Sequence, residues 1–320
     1  MGYNLQGMSD YAKSNGIILI KDLILQAQSF SMDGIRVETG IKSTELFADF
    51  AVGNTVLQKT LGDAGALQYS GGSTLKDISI HVVELAIKER YVKSTLESKI
   101  AQMQMRAGSD PSNPIPYNDV LVNLKAQTVG HLNDLLVWQG DVSGATNNQV
   151  DGYLTILNKS TGNTGTTYFA VTGGTFPFTQ TTAIATVEAF AKAALAKFPV
   201  WILDGAYLYM SPTNFEVYFR AVYGLSSPVN TLTLELNAKP VQKFMVPGTN
   251  IEVLSTNGLV GNDSMIMTRE FNLCLGTDLV SEDDTLSFEY LNEAQCWRLF
   301  GAYKLGPQIA RTQEVVATIA

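Results

Sequence analysis

LLVWQGDVSGATNNQVDGYL, Leu135 to Leu154, joins two dissimilar pieces of sequence. An apolar, helix-like stretch stops at Gly140-Asp141. A dozen small and polar residues come next, and Asp151-Gly152 then leads into a second apolar run. A glycine loop that cradles phosphate opens a helix, so that backbone N–H groups and the positive end of the dipole face the anion. Here the Gly-Asp pair comes after a helix, where the dipole is negative and repels phosphate. The stretch reads as a hinge between a long helix and the next piece of the architecture.

The helix that leads into it is the strongest in the chain. SDPSNPIP, Ser109 to Pro116, punctuates the sequence and excludes helix before it ends. NDVLVNLKAQTVGHLNDLLVWQG comes next, with Asn118 as the expected N-cap and Asp119 in the first turn. Leu121, Leu124, Thr128, Leu132 and Leu135 step by three or four and predict one buried stripe. Asn118 to Gln139 would extend roughly 33 Å at about 1.5 Å per residue. Gly140 is the expected stop, and Trp138 in the last turn is expected to bury against the strands downstream of it.

Upstream, residues 1 to about 15 have the composition of a mobile arm. IILIKDLILQAQSF, Ile17 to Phe30, is apolar with helical length. From Ile35 to Val92 the pattern turns strand-like. IRVET alternates, then Gly53, Gly62, Gly65, Gly71 and Gly72 dot the middle. In TLKDISIHVVELAIKERYV, Thr74 to Val92, the residues Ile78, Ile80 and Val82 share one face, and Val83, Leu85 and Ile87 continue on the other. Such a slip predicts a bulge or strong twist. The whole resembles a two-stranded ribbon with a flexible tip. A lone ribbon is marginal in water, so it is expected to lie on a neighbouring molecule.

Downstream, TTAIATVEAFAKAALAKFP predicts a second helix ended by Pro199, and AYLYMSPTNFEVYFRAVYG a strand, a Ser211-Pro212 turn and a short helix. FMVPGTNIEVLSTNG and SMIMTREFNLCLG read as paired strands, and DTLSFEYLNEAQCWRLFGAYKLG as another pair.

The 320 residues exceed the size at which single cores stop growing, which predicts two sub-domains. Charged residues, at 16%, fall below the roughly 25% of average soluble domains. Little charged exterior is available, so partners are expected to cover much of the surface. The net charge of −8 argues against sequence-independent nucleic-acid binding, which needs clustered cations. Cys274 and Cys296 are too few for a disulfide framework and fit synthesis in a reducing compartment. The N-terminus lacks a signal peptide pattern, and no apolar run approaches the roughly 18 residues of a membrane span.

Chemistry-bearing patterns are scarce. His81 and His131 are the only histidines, and neither has a second His at metal-ligand spacing. GxSxG, Walker A and GxGxxG are absent, with GDAGAL and GNTG the nearest approaches. Glu282, Asp283 and Asp284 form an acidic cluster without the alternating oxygen ligands of a calcium loop. Met103, Met105, Met265 and Met267 read as core filler. No catalytic, cofactor-binding or metal residue is assigned, and no cofactor.

The order of these elements resembles the major capsid protein of tailed double-stranded DNA bacteriophages, the HK97-like fold shared with encapsulins. WQGDVSGATNNQVDGYLTIL is similar to that family's "GDG…GIL" segment after its spine helix, with Val142 in place of the usual third small residue. LYMSPTNF resembles the "vMsp" strand and turn, and AQCWRLFGAYKLGPQIA the closing "r.e.r.g..v..p.A" segment. The resemblance covers roughly residues 30 to 312. It implies an α+β fold in six parts: an N-terminal arm and short helix over 1–34, an extended β-ribbon loop over 35–92 and a peripheral domain with its spine helix over 93–157. An axial domain over 158–283, peripheral return strands over 284–306 and a C-terminal segment over 307–320 complete it.

The resemblance further implies a structural, non-enzymatic subunit that assembles as pentamers and hexamers into an icosahedral-type shell. The shell would enclose double-stranded DNA without reading its sequence and work with a portal and with scaffolding or decoration proteins. The subunit would be made in the bacterial host cytoplasm and end in the virion. Only about thirty residues precede the ribbon, so a separate scaffold, or none, is expected. An encapsulin-type compartment holding cargo protein is the alternative, and an enzyme or binding domain with an unrecognised site the third reading. Some family members weld subunits through a Lys–Asn isopeptide bond beside a carboxylate. Lys59, Lys76, Asn292 and Glu293 supply those residue types, but Lys76 precedes Asp77 and Lys59 sits in a polar tip, so no crosslink is expected.

Overall fold

IRVET forms β1 (Ile35–Thr39), and the segment after it forms β2 (Thr44–Val52). The next strand-like run divides at Val82 into β3 (Ser73–His81) and β4 (Val83–Val92). This computed structural model describes residues 27–52, 73–92, 117–161, 169–170, 178–197, 204–224, 243–278, 287–291 and 296–319. The expected ribbon tip, most of the Ile17–Phe30 helix, and the Met103, Met105, Lys59, Asn292–Glu293 and Glu282–Asp284 positions lie outside them.

The long helix, α1 (Tyr117–Gln139), begins one residue before the expected cap. Over its described part the buried face is not the expected stripe, whose Leu121 and Leu124 lie outside the side chains described. Thr128 and Leu132 are exposed and Leu135 is half-buried, whereas Asn133, Asp134, Leu136, Val137 and Trp138 are buried. An apolar count misses this face because it includes two polar side chains that hydrogen bonds make into core residues. The apolar run after Gly152 is a second helix, α2 (Tyr153–Thr161).

β5 (Phe169–Ala170), α3 (Ala183–Lys197) and β6 (Ala206–Met210) come next. α4 (Pro212–Val222) opens as expected at Ser211, whose Oγ accepts the Asn214 N–H at 3.3 Å, with Pro212 at the first helical position. The remaining strands are β7 (Lys243–Met245), β8 (Ile251–Ser255), β9 (Met265–Thr268), β10 (Leu273–Thr277), β11 (Ser287–Leu291), β12 (Cys296–Ile309) and β13 (Val315–Thr318).

β2 and β3 pair antiparallel from Thr44↔His81 to Val52↔Ser73 and form a two-stranded sheet of their own. β4 leaves that ribbon and pairs antiparallel with β12 over ten positions, Val83↔Leu305 to Val92↔Cys296. The phase slip at Val82 is therefore a change of sheet. Ile80 and Val82 bury with Ile41 and Cys274, whereas Leu85 enters the main core. The Val82 N–H, donating to the Ser43 carbonyl at 3.0 Å, ties the crossing down. The ribbon expected from Ile35 to Val92 is thus confined to β2 and β3, because β1 and β4 find partners in a larger sheet.

That larger sheet has the order β1-β10-β12-β11, with β4 also on β12. A six-stranded sheet has the order β5-β13-β9-β6-β8-β7. SMIMTREFNLCLG is divided between the two: β9 pairs with β6 and β13, and β10 with β1 and β12. After β12 the chain does not stop at the first sheet. β13 crosses to the second, between β5 and β9.

The six-stranded sheet is buried on both faces. Tyr209, Leu254, Ile266, Val315 and Ala317 point into a core shared with α1, α2 and the five-stranded sheet. The alternate residues Leu208, Val253, Met265, Met267 and Val316 point into a second core under α3 and α4. Met265 and Met267 are core filler, as expected. The two expected sub-domains become two cores that share one sheet.

Candidate assembly surfaces

The junction between α1 and α2 is strapped rather than hinged. Gly140 and Gly152 meet backbone to backbone, with the Gly152 N–H donating to the Gly140 carbonyl at 2.8 Å. A Cβ on Gly140 would stand 2.2 Å from the Val150 carbonyl oxygen, and one on Gly152 would stand 2.7 Å from the Gly140 nitrogen. Both glycines are required by close approach, not by the left-handed backbone expected of a helix stop. Asp141 and Asp151 hold the loop: Asp141 Oδ1 accepts the Ser143 N–H and Asp151 Oδ1 the Val142 N–H, each at 2.9 Å. Lys159 on α2 donates to both Asp151 carboxylate oxygens at 2.7 Å. Burial opposes the Asp151 charge, but these donors outweigh it and hold its carboxyl below the usual range.

Trp138 is the centre of the main core. It is fully buried, its ring lies 5.2 Å from Tyr153 and 5.1 Å from Tyr209, and its Nε1–H donates to Ser29 Oγ at 3.1 Å. Ser29 and Gln28 in turn bind the buried Asp134. This hub fastens the chain before β1 to α1. Gly258, beneath the indole, permits the contact.

Burial shifts several hydroxyl and thiol groups away from their ionised forms. Burial pushes the Tyr153 and Tyr209 hydroxyls well above their ordinary range, and each donates to a carbonyl, Tyr153 to Cys274 at 3.1 Å and Tyr209 to Asp33 at 2.9 Å. Burial also pushes the Cys274 thiol up to about 11. Cys274 and Cys296 are both free and buried. His81 is exposed at the ribbon base, with Nδ1 3.0 Å from Thr44 Oγ1, and His131 is exposed on α1. Among the described residues no three His, Cys, Asp or Glu side chains are grouped to hold a metal ion. Among them, too, no helix is long and apolar enough to cross a membrane.

The fold also exposes apolar side chains and open grooves. The ribbon carries Leu46 at 66% exposure. A groove of about 320 Å³ runs between α1 and β4, with the exposed Leu132 at its side and the Glu89–Lys125 ion pair (2.5 Å) across it. A cleft of about 290 Å³ at the ribbon base has at its rim Phe271, exposed and held at φ +60°. A bulky residue in that backbone region is a strained outlier.

Solved structures match this arrangement across nearly the whole chain. A chain of the satellite phage P4 procapsid, in a structure including the size determination protein, superposes at TM-score 0.56 and 11% identity, covering 94% of this chain and 89% of that one. One from the capsid of an empty GTA particle gives 0.54 and 12%, with 92% and 90% covered. One from the cyanophage A-1(L) capsid gives 0.51 and 14%, with 94% and 91% covered. The chain has the phage capsid fold. It is the fold that the ordered motifs resemble. No family model and no curated protein matches the sequence.

Within this capsid fold, sequence reasoning found Trp138, Gly140, Asp141 and the Ser211-Pro212 turn. It missed Ser29, Asp134 and Gly258. A polar residue in the last turns of an otherwise apolar helix was the available signal for Asp134.

Proposed function

We propose that this chain is the major capsid protein of a tailed double-stranded DNA bacteriophage, a structural subunit with no catalytic step, cofactor or metal. Copies of it would join as pentamers and hexamers into an icosahedral-type shell around the genome, with a portal and with scaffolding or decoration proteins. The observation that carries this reading is the β2–β3 ribbon. Among the described residues it is a sheet of two strands outside both larger sheets, and such a sheet is marginal in water unless covered. The likeness to capsid chains, matched over about nine-tenths of their length, supports a subunit whose neighbours would cover the ribbon.

Electron microscopy of the purified full chain tests the proposal, with closed particles expected. Replacing Asn54 to Gly72 by a short turn should leave the circular dichroism spectrum and melting cooperative but abolish particles. Normal particles from that variant would remove the ribbon from the contact. Particles filled with protein instead of DNA would favour a cargo compartment.

A further inference from the structure

The outer face of the five-stranded sheet carries an unusual charge arrangement. Arg90 on β4 and Arg298 on β12 are direct register partners, so both side chains leave the same face, and both are exposed. Like charges placed opposite in an antiparallel pair destabilise it. Two positions along each strand, Lys88 pairs with Phe300. The Lys88 ammonium lies 5.8 Å and the Arg298 guanidinium 5.9 Å from the centroid of that half-buried ring. Two cations thus flank one aromatic and a third, Arg90, stands opposite Arg298 in the ladder, with Glu289 on β11 the other register partner of Arg298. In a chain of net charge −8, this is a concentrated reversal of sign.

A second patch, on the other sheet, has the opposite character. Tyr207 on β6 is the register partner of Glu252 on β8. The Phe271 N–H donates to the Gly34 carbonyl at 2.9 Å, bringing the neighbouring Glu270 and Asp33 to the same place. Lys243 binds Asp33 at 3.0 Å, leaving an excess of carboxylate. The field is felt by Tyr207, whose hydroxyl pKa is raised first by burial and then by Glu270, Glu252 and Asp33. Exposed Met245 borders the patch as the register partner of Glu252.

We propose that the Lys88–Arg90–Arg298 face around Phe300 docks on the Asp33–Glu252–Glu270 patch beside Tyr207 of a second copy of this chain. Each patch has an aromatic centre and a charged rim, and the two signs complement. The two patches are distinct, so the contact can run head to tail from copy to copy, which closes into a ring where its rotation permits. The opposed arginines, whose mutual repulsion burdens the isolated subunit, gain further carboxylate contacts in the assembly. DNA is the weaker occupant: three cations, one of them with a carboxylate register partner, make a short phosphate track, and affinity for duplex rises with the number of phosphates neutralised.

The inference rests on the shell reading, and charge reversal in the full chain tests it. Arg90→Glu with Arg298→Glu, and separately Glu252→Arg with Glu270→Arg, should each give folded subunits that form no particles where wild type is fully assembled. All four changes in one chain should restore particles. Normal assembly of either reversed chain, with or without loss of packaged DNA, overturns the contact, as does failure of the fourfold variant to assemble while it remains folded. Should reversal impair folding, Arg298→Gln and Glu252→Gln replace it. Each should lower particle yield severalfold, and their combination no further; losses that multiply overturn the proposal. A wild type that forms no particles would instead remove the shell reading itself.

Discussion

Ser29 closes on Asp134 with two hydrogen bonds to a single carboxylate oxygen: its N–H donates to Oδ1 at 2.9 Å and its hydroxyl at 2.7 Å. The Gln28 N–H takes Oδ2 at 3.0 Å. One buried side chain on α1 thereby satisfies two backbone donors more than a hundred residues away.

Removing that acceptor strands both donors. Asp134→Ala should destabilise the subunit by about 3 kcal/mol, and Asp134→Asn by roughly half as much, since one carbonyl oxygen remains. Denaturant unfolding of the unassembled subunit reads this directly. A loss below about 0.5 kcal/mol for the alanine variant would show that water replaces the carboxylate.

Gly258 and Trp138 form a coupled pair. A Cβ on Gly258 would stand 2.0 Å from Trp138 Cδ1 and 2.6 Å from the Asp134 carbonyl oxygen. Gly258→Ala should cost about 2–3 kcal/mol by overpacking, and Trp138→Ala about 3–5 kcal/mol by cavity formation. The double variant should cost clearly less than the sum, because the cavity accepts the new methyl group. Additive losses would mean that the indole does not rest on Gly258.

Alkaline pH should unfold the subunit in a defined window. Burial raises the Cys274 thiol to about 11 and the Tyr218 and Tyr303 hydroxyls to about 12, each above its unfolded value. Each group therefore contributes stability that is complete below its unfolded pKa and is lost as pH climbs through the folded one. Stability should decline from about pH 9 and steepen between 10 and 12. Cys274→Ser should flatten only the lower part of that decline. A pH profile level to 11 would contradict the burial of these groups.

Mature particles boiled in detergent should release one band at the mass of a single chain. Lys76 is followed in sequence by Asp77, the neighbour on whose account no crosslink is expected, and its backbone register partner across the ribbon is Asp49. A ladder of dimers through hexamers resistant to reductant would show covalent welding, and Lys59 and Lys76 would be the first residues to replace.

The elements most legible in the sequence were those whose pattern is local. Ser211-Pro212 announced the start of α4, and the apolar run Met265-Ile266-Met267 marked a strand with methionines as core filler. The β3–β4 run showed its phase slip, but local pattern cannot say that Ile80 and Leu85 serve different sheets. Only long-range pairing with β12 decides that. The C-terminal part of the stripe on α1, Thr128 to Leu135, missed the buried face for a related reason. Asp134 is made a core residue by Ser29; its polarity in an apolar turn marks the position, but nothing near it in sequence names that distant partner. Gly140 and Gly152 were visible as punctuation, whereas their role in backbone contact depends on both being present together.

The passage from β3 to β4 through the single residue Val82 has a mechanical consequence. No slack loop separates the ribbon from the ten-position ladder between β4 and β12. A pull on the ribbon is delivered along the strand axis, so the rungs of that ladder bear the load together instead of opening one after another. If a second subunit holds the ribbon, as proposed, a force that parts the two would load this ladder in shear.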